Sequence, residues 1–173
     1  MTNRASRNND LDVDENVKRQ EADALWNLGM RHHHQGDFRG AVELYSKSIE
    51  LFPTAEAYTF RGWSYHSMGM LEEAIEQCKL AIATDPTFGN PYNDIGAYLI
   101  ARGDYDDAIE WLERAKHAPR YEPRHFPCMN LGRIYAAKGM VMRAIEEFEH
   151  ALEFAPDDPG CVESIARLRA MLN

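Results

Sequence analysis

The feature that most limits what this chain can fold into is the spacing of its glycines. Gly29, Gly62, Gly96 and Gly132 lie 33, 34 and 36 residues apart, and each is followed seven residues later by another: Gly36, Gly69, Gly103 and Gly139. Ala41, Ala74, Ala108 and Ala144 return at the same intervals. In the clearest copy, Leu131 to Pro156, this pattern puts one glycine inside a helix and a second where that helix stops in a left-handed residue. Ala144 and Ala151 then share one face of the next helix. Each copy reads as a helix-turn-helix hairpin, and four copies at this period predict an all-α solenoid rather than one closed core. A glycine inside a helix costs about 1 kcal/mol relative to alanine, so its return at equivalent places requires close approach of a neighbouring helix. The expected neighbour is the small residue on the second helix: Ala41, Ala74, Ala108 or Ala144, with Ser48, Ala81, Ala115 and Ala151 two turns further on. Pro53, Pro86 and Pro156 stop the second helices.

Along the chain, residues 1–12 are expected to be a disordered tail, and residues 13–158 to hold four repeats at about 22–54, 55–88, 89–124 and 125–158, leaving 159–173 as a capping helix. Asp12 and Glu15 resemble a capping box, so the first helix is expected to run from about Val13 to Gln35. Between the third and fourth repeats the spacing grows, and Arg120 stands where other repeats carry proline. Ala118 to Arg124 therefore reads as a lengthened connection, stiffened by two prolines and locally positive. Asp158 and Pro159 look like the cap and first residue of a last helix, whose Val162, Ile165, Ala166 and Leu172 cover the end of the stack.

A formal charge of -9 argues against nucleic acid as the main partner, since phosphate binding needs a basic footprint. The acids gather on second helices, for instance Glu72, Glu73 and Glu76 or Asp106, Asp107 and Glu110, and read as a solvated face. Three cysteines, Cys78, Cys128 and Cys161, are too few and too scattered for a disulfide framework or a zinc site. No apolar run follows the N-terminus, so neither a signal peptide nor a membrane span is expected and the cytoplasm is the default. No phosphate loop, nucleophile elbow or zinc-protease signature is present, so the chain is not expected to be an enzyme or to hold a cofactor. His32, His33 and His34 are consecutive, with His66 one repeat after His33. Consecutive helical residues point about 100° apart, so the three cannot face one ion, and they read as groove or packing histidines.

Together these residues resemble the tetratricopeptide repeat, over about Ala22 to Pro156. The resemblance implies a right-handed superhelical solenoid of four helix-turn-helix repeats plus a C-terminal capping helix, and it is nearly silent about function. Two positions depart from the pattern: His32, where other copies have Tyr65 and Tyr135, and Arg61, where Leu28, Ile95 and Leu131 are apolar. In this family the first helices line a concave groove for an extended peptide or a partner's helix. Carried onto this sequence, the groove positions include Trp26, Asn27, Met30 and His33 in the first repeat and Phe60, Trp63 and His66 in the second. The third repeat supplies Asn93 and Asp94; the fourth supplies Met129, Asn130 and Arg133. Aromatic and methionine side chains gather in the first half, amides and an arginine in the second. An amide donates and accepts at once, which suits the backbone of an extended peptide.

One subgroup of the family holds chaperone C-terminal tails with a clamp of lysine, asparagine and arginine. That clamp is missing here, where its cation positions carry Trp26 and Asp94 or, in the next register, Thr59 and Asn130. The expected function is a non-catalytic adaptor whose partner is a protein or peptide; the plainer reading is that these side chains only pack between repeats or face water. The alternative is a self-assembling scaffold, a homo-oligomer formed through the solenoid ends or by Met1 to Gln20 entering another copy's groove. Arg133, with Arg124 and His125 nearby in sequence, is either a cationic end that steers an acidic partner or the mate of a neighbouring acid.

Overall fold

The computed structural model describes residues 3–172, with side chains described over 14–172. Among the described residues there are nine helices: α1 (Asn3–His34), α2 (Phe38–Leu51), α3 (Ala55–Ser67), α4 (Leu71–Thr84), α5 (Asn90–Arg102), α6 (Tyr105–His117), α7 (His125–Ala137), α8 (Val141–Phe154) and α9 (Pro159–Ala170). No strand occurs among them, only an isolated bridge between Phe88 and Arg120. The helices fall into two compact units: unit 1, Met1–Asp85, holds α1 to α4, and unit 2, Pro86–Asn173, holds α5 to α9.

In unit 1, α1 pairs with α2 and α3 with α4, and α2 also packs on α3. In unit 2, α5 pairs with α6 and α7 with α8, while α9 lies against α8 without a mate of its own. Backbone punctuation explains the hairpins. Gly36, Gly69, Gly103 and Gly139 take φ of +80°, +77°, +90° and +72°, the left-handed region in which an L side chain is strained. Asp37, Thr54 and Asp158 each accept a backbone N–H of the helix that follows, a cap worth about 1 kcal/mol.

The glycines inside the first helices face something other than the expected alanines. A Cβ at Gly29 would sit 2.7 Å from a ring carbon of Tyr45, one at Gly96 2.5 Å from Leu112 Cδ2, and one at Gly132 2.9 Å from the Phe148 ring. Each glycine makes room for a large side chain on the second helix, one turn beyond the small residue. At Gly62, where that place holds Cys78, the near atoms are instead the backbone oxygen of Ala74 and the Gln77 Cβ, both 3.2 Å from the new atom. Ala41, Ala74, Ala108 and Ala144 are fully buried all the same, because a larger residue there would push the paired helices apart.

α1 runs over Asn3–His34 and includes residues 3–12, whose sequence has neither glycine nor proline to break a helix; Asp12 and Glu15 lie within its range. Met1 and Thr2 lie outside the described residues. The arginines of the long connection are structural rather than free positive charge. Arg124 donates to Lys116 O at 2.9 Å and Ala118 O at 3.1 Å, satisfying carbonyls left open at the end of α6. The Arg120 guanidinium lies 4.4 Å from the Phe88 ring centre, and its backbone N–H donates to Thr87 O at 2.9 Å.

Candidate functional site

The first-helix face of unit 1 is aromatic. Trp26 on α1 meets Phe60 on α3 edge-on, with ring centres 5.2 Å apart at 82°, and Phe60 lies 4.4 Å from Trp63 at 41°. All three are half-buried, so their rings are held by the fold yet still present area to a partner. The Trp26 indole Nε1–H is itself enclosed without an acceptor. Met30 is half-buried beside this cluster in register, and His66 is exposed. His33 is turned into the α1–α3 contact: its Nδ1 is 2.9 Å from Ser64 Oγ, its ring meets Phe38 at 5.1 Å, and burial, then His34, hold the imidazole below its ordinary range. Asn27 donates to Asp23 O one turn back on its own helix and joins no ladder.

The departures from the repeat pattern are also accounted for locally. His32 replaces a tyrosine by bonding Asp37 Oδ2 at 2.8 Å, tying the helix end to the residue that caps α2. Arg61, in an otherwise apolar place, donates to Gln77 Oε1 at 2.8 Å and Ser46 Oγ at 3.0 Å, and burial lowers its pKa.

The first-helix face of unit 2 is polar. Asn130 Nδ2 on α7 donates to Asn93 Oδ1 on α5 at 3.1 Å, and Arg133 donates to Asn130 Oδ1 at 3.2 Å. Arg133 therefore bonds an amide rather than an acid. Asp94 lies near Tyr121, whose phenol is pushed up by burial first and by Asp94 second. Met129, expected to face the groove, belongs instead to a core cluster with Phe148, Ile145 and Leu168.

One residue escaped the sequence reading. Counting α9 as the first half of a repeat puts Ala166 where the glycine would be, and Arg167 then stands as Arg133 stands to Gly132; both arginines are exposed. The same count used for the other first helices would have found it. No three His, Cys, Asp or Glu side chains converge among the described residues, and no described helix is long and apolar enough to cross a membrane. Burial pushes the Cys128 and Cys161 thiols up to about 11, so both stay protonated and unreactive near neutral pH.

Family models of the tetratricopeptide repeat match residues 22–55, 55–88, 92–117 and 127–158. Among curated proteins, the chain is 36% identical over 79 residues to small glutamine-rich tetratricopeptide repeat-containing protein 2 of Mycosarcoma maydis, which covers 45% of this chain and 22% of that protein. It is 26% identical over 152 residues to the type IV pilus assembly protein PilF of Pseudomonas aeruginosa, covering 87% and 60%. The chain spans 22% and 21% of the lengths of the first two such relatives, the second being an SGT1 homolog of rice. Among solved structures, Pseudomonas aeruginosa PilF superposes with a TM-score of 0.82 at 24% identity, over 88% of this chain and 69% of that one. YrrB, described as a repeat protein with an unusual peptide-binding site, gives 0.65 at 22% identity, over 85% and 75%.

Proposed function

The chain belongs to the tetratricopeptide repeat family, and from that premise we propose that it is a non-catalytic adaptor holding an extended segment of another protein on the first-helix faces of its repeats. The observation that carries this reading is the half-buried row Trp26, Phe60 and Trp63, a preformed aromatic surface of the kind that supplies most of the affinity in small interfaces. The peptide-binding site named for YrrB and the co-chaperones among the relatives point the same way. The partner is not a chaperone tail of the usual carboxylate type, because Trp26, Thr59, Asp94 and Asn130 occupy the places where cations would be needed. The test is to pan the whole chain against displayed random dodecapeptides. Trp63→Ala is expected to weaken the selected peptides by on the order of 2 kcal/mol. Peptides indifferent to Trp63→Ala but lost with Glu110→Lys would move binding to the second-helix side.

A second reading, self-association, is favoured by the exposed apolar side chains of α8 and α9: Met142, Phe154 and Val162 are each more than half exposed, at 59%, 52% and 51%. Light scattering decides it, since a mass that grows with concentration and falls when Phe154 and Val162 are made polar supports an assembling scaffold.

A further inference from the structure

The two amides on the first-helix face of unit 2 have a fixed orientation. A guanidinium can only donate, so the Asn130 atom 3.2 Å from the Arg133 NH1 nitrogen must be its oxygen. Asn130 Nδ2 then points at Asn93 Oδ1, 3.1 Å away, which occupies the Asn93 oxygen and leaves its Nδ2 as the unengaged donor of that amide. Both amide oxygens are engaged along this strip. What it still offers, at the Asn93 end and at the Arg133 end alike, is N–H. Asn130 is only 8% exposed, so the middle of the strip is held by burial and cannot reorganise cheaply to present an acceptor. Arg167 adds a second cation at the equivalent position on α9, while Glu163 one turn before it makes Arg133 the less encumbered contact. The chain as a whole carries a net charge of -9, and the same face also holds Asp94, which lies near Tyr121, so Arg133 marks a cationic end of this face rather than a uniformly positive surface.

We infer that the first-helix face of unit 2 recognises an aspartate or glutamate side chain within an extended segment, the carboxylate meeting Arg133 while a backbone carbonyl of the same segment accepts from Asn93 Nδ2. Arg133 acts twice. It contacts the acid, and by fixing Asn130 it fixes which atom of Asn93 faces the partner. The inference rests on the groove reading above and specifies which chemistry the groove selects.

The test uses the whole chain and the displayed random dodecapeptides at low salt. Selected sequences are expected to share an acidic residue. Changing that residue to its amide in a synthetic peptide should weaken binding about tenfold, the scale of one charged hydrogen bond. Arg133→Met should weaken the acidic peptide by at least a similar factor and its amide version by clearly less, since the amide form loses only the fixed Asn93 donor, whereas Arg133→Lys should keep most of the preference. Selected peptides with no acidic preference, or an equal loss for acid and amide forms in Arg133→Met, would overturn the inference while leaving the groove reading intact, provided Trp63→Ala still weakens them. Dependence on a free C-terminal carboxylate, removed by amidating the peptide end, would overturn it as well. If neither Trp63→Ala nor Arg133→Met affects any selected peptide, the groove reading fails and this inference with it.

Discussion

The two units build the same hairpins and use them differently. On its first-helix face unit 1 presents rings in contact, Trp26, Phe60 and Trp63, whereas unit 2 presents a hydrogen-bonded strip, Asn93, Asn130 and Arg133. Inside, it is the second repeat that departs from the other three. In the second repeat, Gly62 is approached by backbone because Cys78 is small; in the third, Gly96 is overlaid by Leu112. The recurrent glycines and alanines fix where helices run, while the residue sixteen places after each mid-helix glycine decides what fills the space between them. Surface chemistry is then free to vary from one unit to the next on an unchanged frame.

The largest expected effect separates the units by stability. Removing 159–173 takes away Cys161, Ile165 and Leu168, which complete the core around Met129, Ile145 and Phe148. Burying Ile165 and Leu168 contributes about 2 kcal/mol each, so the loss should be several kcal/mol and confined at first to unit 2. Hydrogen exchange should accelerate in α7 and α8 before α1 and α2; uniform protection at the wild-type level would make α9 a loose appendage. The next effect compares the glycines. Gly96→Ala must displace Leu112, from which the new atom would be 2.5 Å, and should cost about 1–3 kcal/mol, the range for an overpacked site. Gly62→Ala meets its neighbours at 3.2 Å and gains helix propensity, so it should cost less. Denaturant midpoints in the reverse order would break the account of how the two hairpins are packed.

The hairpins were legible in the sequence because turn glycines, prolines and caps answer to local backbone requirements that leave a residue type at a fixed offset. The glycines' true partners were less legible. Which side chain covers a helix depends on the direction of its rotamer as well as on spacing, so spacing alone pointed to Ala41, Ala108 and Ala144 where Tyr45, Leu112 and Phe148 lie over the glycines. The register that the family resemblance supplied brought Trp26, Phe60 and Trp63 to one face. It did not reveal that Met129 is core, that Asn27 bonds its own helix, or that Asn93 and Asn130 bond each other from different places in their repeats. Arg124 was legible as a charge but not as a cap, because its carbonyl partners gather only when the connection folds back over the end of α6.

A smaller effect, opposite in sign, lies in unit 1. The Tyr45 hydroxyl is buried with no hydrogen-bond partner, and burial raises its pKa. In unit 2 the equivalent place holds Phe148 or Leu112, with no polar atom to satisfy. Tyr45→Phe removes the stranded group and keeps the ring that packs over Gly29, so it should stabilise by about 1 kcal/mol. A lower melting temperature would mean that the hydroxyl has a partner that matters to the fold.

The smallest effect is acid sensitivity, and it too should belong to unit 1. His33 is held below its ordinary pKa of 6.5 by burial and then by His34. The unfolded chain therefore takes up this proton more readily than the folded one. The stability concerned is present above about pH 6.5 and is lost as pH falls from there through the lower folded value. Asp37 shifts downward as well, through His32 first and the Gly40 N–H second, but its window lies below its ordinary 3.8 and does not overlap. The positions equivalent to His33 in unit 2 are Ile100 and Ala136, which do not titrate. On going from about pH 7.5 to about pH 5.5, hydrogen exchange should quicken more where α1 meets α3 than where α5 meets α7, and His33→Gln should reduce that difference. Equal acid sensitivity in the two units, or a difference that survives His33→Gln, would assign it to another group.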